Sequence, residues 1–170
     1  LRVAYPFGGP TSTRRWKVVF FHHTVYSCSA VHGSTQSLIS ALSPRFEARG
    51  VDLVMYGHDH HYERSFPMRS GEPIAVEMDP DYVHPQAPIY VITGAAGGTR
   101  ATGTTCLHTA RAIAALSFVR VEVEGDLLTL ESVGADRVVL DRMTISKAGP
   151  VPPPPPSGTV RVVAPDGGQA

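Results

Sequence analysis

The pattern of apolar positions predicts a strand, a helix and a second strand in the first third of the chain. Residues 16–21 and 51–56 are short runs rich in β-branched and aromatic side chains, which are typical of buried strands. Between them the apolar side chains recur at helical spacing over residues 34–49: Leu38, Ile39, Leu42 and Phe46. Such a βαβ unit places its two strands parallel, so that both end at the same edge of one sheet.

Two residues affect the course and the end of the predicted helix. Pro44 lacks a backbone N–H and is expected to break or kink the helix. Gly50 follows the last apolar position and is expected to cap the helix end.

The remaining pattern predicts a third strand and an antiparallel meander. Residues 88–93 form the third apolar run, and the glycine-rich turn 94–98 follows it. Residues 117–123 and 127–133 alternate around a Glu-Gly-Asp turn and predict a hairpin, which a strand at 137–146 extends.

Two segments between these elements lack a clear pattern. The passage after Arg64 is polar and rich in proline, which predicts a long surface loop up to residue 87. Residues 99–115 are rich in Thr and Ala and are expected to be partly helical.

The predicted domain covers residues 1–148, and residues 149–170 leave it. The prolines at 152–156 predict a stiff spacer, and the residues after them cannot build a core. A linker to a further domain or surface and a disordered tail both remain open. Residues 1–5 contain neither a signal-peptide pattern nor an initial Met, so we expect the chain to be part of a longer one.

Composition excludes several classes of partner. The chain has 170 residues, 42% apolar content and a formal net charge of zero, which fits one ordinary core without a transmembrane run. Its basic residues are scattered, so neither nucleic acid nor an anionic membrane is an expected partner, and a small substrate is favoured. Cys28 and Cys106 are too few for a disulfide framework and lack paired thiolate spacing.

Histidines follow both strands of the βαβ unit. His58 and His60 come after residues 51–56, and alternate residues of an extended segment face one side, which is metal-ligand spacing. His22 and His23 come after the first strand, and the strand register leaves open which of them faces inward. Because both strands end at one edge, we expect a shared metal site there; histidines that are solvated or satisfied in the core are the alternative.

Residues 57–64, Gly-His-Asp-His-His-Tyr-Glu-Arg, resemble the signature of purple acid phosphatases within the calcineurin-like metallophosphoesterases. Residues 16–26 resemble the earlier Val-x-x-His block of that family, and the similarity continues through residues 88–98. It covers about residues 15–146. The resemblance implies an α/β fold: the C-terminal half of a calcineurin-like αββα sandwich, with the βαβ unit followed by the antiparallel meander.

The resemblance also implies roles for particular residues. In the family register His22 is the ligand rather than His23; His22 and His58 would bind a divalent metal ion, and His60 would bind iron(III). His32 matches a histidine that contacts the substrate phosphate or assists the leaving group, although a plain loop histidine is the alternative. The implied cofactor is a binuclear metal centre of iron with zinc, manganese or a second iron.

The chain departs from the family in two places. Val31 stands where plant members often carry a second histidine, and residues 1–170 contain none of the upstream Gly-Asp-x-Gly, Gly-Asp-x-x-Tyr and Gly-Asn-His-Glu/Asp blocks. We therefore expect an upstream half of the catalytic domain as a partner, and an isolated chain that is inactive.

The expected function of the intact protein is hydrolysis of small phosphomonoesters of the acid phosphatase type. A phosphodiesterase of the same superfamily and a noncatalytic, degenerate metallophosphoesterase module are the alternatives. The resemblance implies a secreted or periplasmic location.

Overall fold

The βαβ unit lies at the start of the structure, a computed structural model that describes residues 13–76, 79–98 and 106–150. Strand β1 (Val18–Phe21), helix α1 (Gln36–Ala48) and strand β2 (Leu53–Tyr56) follow one another in the chain. The two strands are parallel, with Val18 opposite Leu53 and Phe21 opposite Tyr56. The predicted unit is therefore confirmed, and both strands end at one sheet edge.

Helix α1 is continuous across Pro44, so the predicted break is wrong. Leu42 and Phe46 flank the proline and are both buried, and packing of this kind overrides local helix propensity. Gly50 ends the helix as predicted, with φ at 58°. The N–H of Val51 donates to the carbonyl of Phe46 at 3.0 Å, which is the longer hydrogen bond of a Schellman motif.

The first sheet has five strands in the order β1-β2-β7-β3-β8. Strand β7 (Ile89–Thr93) is the predicted third strand and pairs parallel with β2. Strands β3 (Tyr62–Ser65) and β8 (Thr109–Ile113) are antiparallel additions. The helical prediction for residues 99–115 is thus wrong at 109–113, where pairing with β3 imposes a strand; residues 99–105 lie outside the described residues.

The second sheet has four strands in the order β6-β11-β10-β9. The predicted hairpin is confirmed as β9 (Ser117–Glu124) and β10 (Leu127–Gly134), and β11 (Val139–Ser146) extends it. Strand β6 (Asp81–Val83) pairs parallel with β11, inside the passage predicted to be a loop. It has only one inward side chain, Tyr82, and so carries no apolar alternation to reveal it.

A further pair of very short strands also lies in that passage. Strands β4 (Met68–Arg69) and β5 (Glu72–Pro73) form a two-stranded hairpin. The prediction of one long loop is therefore wrong for these residues as well. Two-residue strands fall below the length at which periodicity can be seen.

Two apolar clusters arrange these elements in three layers. One cluster packs α1, through Leu42 and Phe46, against the first sheet. The other joins the two sheets face to face, with Leu53 and Val91 from the first sheet against Leu128 from the second. The described residues thus supply an α layer and both β layers of the predicted αββα sandwich.

Two surfaces of this arrangement bear on the site. Strand β1 lies at one edge of the first sheet, and its Phe20 is 68% exposed. The α1 layer covers only one face of that sheet. No helix within the described ranges is long and apolar enough to cross a membrane.

Candidate metal centre

The carboxyl ends of β1 and β2 bring two histidines together. His22 directly follows β1, and His58 follows β2 after Gly57. The N–H of Gly57 donates to the carbonyl of His22 at 3.1 Å, which holds the two chain segments side by side. The Nδ1 atom of His58 lies 3.3 Å from the Nε2 atom of His22. Two ring nitrogens therefore face each other at the edge where the sequence predicts a metal site.

The segment that carries His58 is a tight turn, and the extended conformation assumed from the sequence is wrong. His58 has φ at 68°, and the N–H of Asp59 donates to the carbonyl of Gly57 at 2.9 Å. A hydrogen bond over three residues with a positive φ in the middle is a γ-turn of the rare, strained kind, and such strain is concentrated at functional sites.

Asp59 nevertheless points away from the histidines, as predicted. Its side chain is 1% exposed, and its Oδ2 accepts a hydrogen bond from the Ser27 hydroxyl at 2.6 Å. The turn and this buried anchor together fix the backbone between His58 and His60.

Four imidazoles form a cluster around His58, hereafter the histidine cluster: His22, His23, His32 and His58. The ring centroid of His58 lies 5.2 Å from that of His22, 4.7 Å from that of His23 and 4.3 Å from that of His32. Burial against these neighbours, and the positive charges they would carry, lower the pKa of His58. The neutral form, which binds metal ions, is thereby favoured.

His60 stands apart from the histidine cluster. It is exposed, and within the described residues it makes no ring contact or hydrogen bond with the four clustered histidines. The structure thus brings together His22, His58 and the predicted substrate residue His32, and His60 makes none of these contacts. His23 joins the cluster as well, so the geometry does not separate it from His22.

The donor set fits part of a metal centre. Facing imidazole nitrogens are ligands that zinc and iron bind readily. In the described part of the chain, the only three side chains whose donor atoms all lie within 4.8 Å of one another are Cys28, Cys106 and His108. That group is not a metal site here, because the two cysteines form a disulfide with their Cα atoms 5.7 Å apart.

Glu63 was missed by the sequence argument, although it lies inside the motif. Its side chain is buried on the side of the first sheet that faces the loop after β1, and both of its oxygens accept hydrogen bonds. Burial alone would raise the pKa of Glu63, but interactions with His108, His61, the Cys28 N–H and Thr109 outweigh it and lower the pKa to about 2. The carboxylate is therefore ionised at all ordinary pH values.

Tyr62 and Arg64 flank Glu63 and point to the opposite face of the sheet. The Arg64 guanidinium donates to both oxygens of Asp141, at 2.7 and 3.2 Å, and the Tyr62 hydroxyl donates to the same carboxylate at 2.7 Å. Asp141 belongs to β11, so this buried ion pair ties the motif to the second sheet. The alternation of strand residues could have revealed the split, had residues 62–65 been recognised as a strand.

Gly94 lies directly beneath the turn that carries the histidines. A Cβ atom added at Gly94 would overlap the carbonyl oxygen of Asp59. The glycine-rich turn after β7 therefore serves close backbone packing.

Comparisons with known proteins agree with this geometry. No family model matches the chain. Purple acid phosphatase 4 of Arabidopsis thaliana is 51% identical over 49 residues, which are 29% of this chain and 14% of that protein. Human acid phosphatase type 7 is 28% identical over 97 residues, which are 51% of this chain and 22% of that protein. The chain thus spans less than a quarter of the length of these relatives.

A solved structure supports the same relationship at the level of the fold. The purple acid phosphatase PPD1 from yellow lupin seeds superposes with a TM-score of 0.66 at 23% identity, over 77% of this chain and 25% of that one. An identity this low speaks only for the fold. Together with the sequence matches, it supports the similarity of this chain to part of the purple acid phosphatases.

Proposed function

We propose that the intact protein containing this chain hydrolyses small phosphomonoesters at a binuclear metal centre, and that this chain supplies part of the ligand set. The observation that carries the proposal is the pair of facing nitrogens, His58 Nδ1 and His22 Nε2, 3.3 Å apart at the shared edge of β1 and β2. Two parallel strand ends that deliver imidazoles to one point form a rigid base for a metal ligand pair.

In this proposal His22 and His58 hold one metal ion, and His60 contributes to the other. A bound pair of metal ions supplies Lewis-acid activation of the phosphate and a water of lowered pKa. The lowered pKa of His58 favours its neutral form, the form that binds a metal ion. The turn at residues 57–59 and the Asp59 anchor keep His58 and His60 oriented.

His32 is the proposed catalytic residue. Its exposed ring lies against His58 at a centroid distance of 4.3 Å, so it borders the proposed metal ligands without belonging to a strand end. A protonated imidazole there can hold a phosphoryl oxygen or give its proton to the departing alkoxide.

The chain needs further ligands for this chemistry. A binuclear centre of this kind requires carboxylate and additional donors, and the sequence contains none of the upstream blocks that carry them in the family. We propose that an upstream half supplies them and packs along the free edge of β1, where Phe20 is 68% exposed.

The disulfide supports a location outside the cytoplasm. Disulfides persist in oxidising compartments and are rare in reducing ones. The Cys28–Cys106 bond therefore favours the proposed secreted or periplasmic location.

The test compares the 170-residue chain with a longer protein that includes its upstream sequence. Both are assayed for hydrolysis of an aryl phosphate with iron, zinc or manganese added. We expect metal-dependent turnover in the longer protein only, with an aryl phosphodiester as a poorer substrate. Metal binding without turnover by the longer protein would favour a noncatalytic module, and faster diester hydrolysis would favour a phosphodiesterase.

A further inference from the structure

The proposed catalytic residue His32 sits near the tip of a twelve-residue loop, residues 24–35, hereafter the His32 loop. The base of the loop is closed by hydrogen bonds between its own two arms. They join the Thr35 N–H to the Val25 carbonyl at 3.0 Å, the Thr24 hydroxyl to the Gly33 carbonyl at 3.2 Å, and the Ser27 N–H to the Ser34 hydroxyl at 3.0 Å. These bonds shape the loop but do not fix it relative to the sheet.

Cys28 fixes the loop to the rest of the protein. Its N–H donates to Oε2 of Glu63 at 2.9 Å, and its sulfur is bonded to that of Cys106. Cys28 is 6% exposed, whereas His32, four residues further on, is exposed. The first arm of the loop is also held in the interior: the Tyr56 hydroxyl bonds the N–H and the carbonyl of Tyr26, and the Ser27 hydroxyl donates to Asp59. Cys28 is the interior anchor nearest to His32 along the chain, and the loop presents that histidine at the surface.

The anchor is a single carboxylate shared by three parts of the chain. Oε2 of Glu63 accepts from the Cys28 N–H and lies 2.9 Å from His61 Nε2. Oε1 accepts from the Thr109 hydroxyl at 2.7 Å and lies 3.2 Å from His108 Nε2. Glu63 is 2% exposed, so water does not compete for these partners. The contacts with Cys28, His61 and Thr109 are hydrogen bonds, and an ionised carboxylate can accept all three at once.

We infer that Glu63 is a positioning residue for the reaction: its carboxylate holds the His32 loop against β3 so that His32 stays beside His58. This inference rests on the proposed function for its kinetic consequence. Within the described residues, Glu63 makes no hydrogen bond or ion pair with the proposed metal ligands His22, His58 or His60; its partners are Cys28, His61, Thr109 and His108. We therefore expect it to act on the step that needs His32 and to leave metal binding in place. The disulfide restrains the same loop covalently, but the hydrogen bond to Glu63 sets the direction in which the Cys28 backbone faces.

The test uses the longer protein and four variants: Glu63→Leu, His32→Ala, their combination, and Glu63→Gln. We expect Glu63→Leu to lower kcat by about 10- to 100-fold, because a displacement of about 1 Å in a catalytic group has an effect of that order. Bound metal should stay at the wild-type level. The double variant should fall within about twofold of His32→Ala, because two residues that act through one group are not additive.

The variant Glu63→Gln keeps the length of the side chain and removes its negative charge. A glutamine can keep its carbonyl oxygen toward the Cys28 N–H, while its amide faces Thr109 and His108, which can both accept a hydrogen bond. We therefore expect Glu63→Gln to keep kcat near the wild-type value under conditions where circular dichroism shows it folded. Glu63→Asp keeps the charge but is one methylene shorter, and it should behave like Glu63→Leu; it replaces that variant if Leu prevents folding.

Amide hydrogen exchange provides a readout that does not depend on activity. In Glu63→Leu or Glu63→Asp, the amides of residues 24–35 should exchange faster than in the wild type, and those of β9 and β10 should not change. Glu131→Leu, the same substitution on the second sheet, is the control and should leave exchange in the His32 loop unchanged.

The results distinguish the positioning role of Glu63 from the proposed function of the protein. Unchanged loop exchange in the Glu63 variants, additive kinetic effects, or loss of bound metal in Glu63→Leu would each overturn the positioning role. Absence of turnover in the wild-type protein would instead remove the proposed function, and loop exchange would still decide whether Glu63 anchors the loop.

Discussion

The histidine cluster and the Glu63 anchor share the motif at residues 57–64, which contributes His58 to the one and Glu63 to the other, but they are built in opposite ways. The cluster is exposed, and its ring nitrogens face one another without a charged partner. Glu63 is buried, and each of its oxygens has two partners. The buried carboxylate thus has its partners within this chain, whereas the clustered imidazoles have no charged partner among the described residues.

The largest expected effect is at the exposed cluster. In the longer protein, His22→Ala should remove most bound metal and nearly all turnover, because it deletes one of the two facing ligand nitrogens. His23→Ala should lower metal affinity by roughly 10- to 100-fold at most, the range for residues that orient a ligand. Metal content by elemental analysis distinguishes the two variants, and the reverse order of metal loss would assign the ligand role to His23.

The next largest expected effect is on folding stability, at the ion pair between Arg64 and Asp141. Arg64→Met should destabilise the fold by about 3–5 kcal/mol, because it leaves the buried Asp141 carboxylate without its cation. Urea unfolding measures the loss. Arg120→Met removes an exposed arginine from its ion pairs on the second sheet and should leave the unfolding midpoint unchanged. Equal midpoints for both variants would show that the two sheets do not depend on the Arg64–Asp141 pair.

The contribution of Glu63 to folding stability should be lost in acid. Because the pKa of Glu63 is lowered from 4.5 to about 2 in the folded state, its stabilisation is complete above pH 4.5 and is lost as the pH falls toward 2. The difference corresponds to roughly 3 kcal/mol. Glu63→Gln should therefore be less stable than the wild type at neutral pH by about this amount, and the gap should close in acid. A constant gap across urea titrations at several pH values would contradict the lowered pKa.

The smallest expected effect is at the glycine below the histidine turn. Gly94→Ala should cost about 1–3 kcal/mol, because its methyl group displaces the Asp59 carbonyl. The shift should also weaken metal binding through the turn that carries His58. Gly97→Ala is the matched control, since no atom lies within 4 Å of the added Cβ and the φ of Gly97 is −104°. Equal stability of the two variants would show that the turn adapts freely.

The sequence predicts the parts of this molecule whose pattern is local. The runs that became β1, β2 and β7 are apolar and β-branched, and the turn in the β9–β10 hairpin carries its own glycine. Strand β3 was not predicted because Glu63 and Arg64 are polar, and their partners are distant in the chain. Only the assembled sheet shows those partners. Strand β8 was not predicted because its sequence, Thr-Ala-Arg-Ala-Ile, has few β-branched residues and no aromatic one.

The same limit applies to the site. The parallel strand ends predict that His22 and His58 meet, since that follows from topology alone. They do not predict the positive φ of His58 or the separation of His60 from the cluster, because a γ-turn leaves no periodic signal. Cys28 and Cys106 are 78 residues apart, and spacing gave no reason to join them.

That disulfide makes a covalent ring of the chain between residues 28 and 106, and the ring contains α1, β2, β3 and β7. The hairpin β4–β5 and strand β6 also lie within it. A protease that cuts the backbone once inside the ring does not release a fragment, because the sulfur bridge still connects the two pieces. The nicked protein migrates as one molecule on a denaturing gel until a reductant is added, and only then separates into two bands.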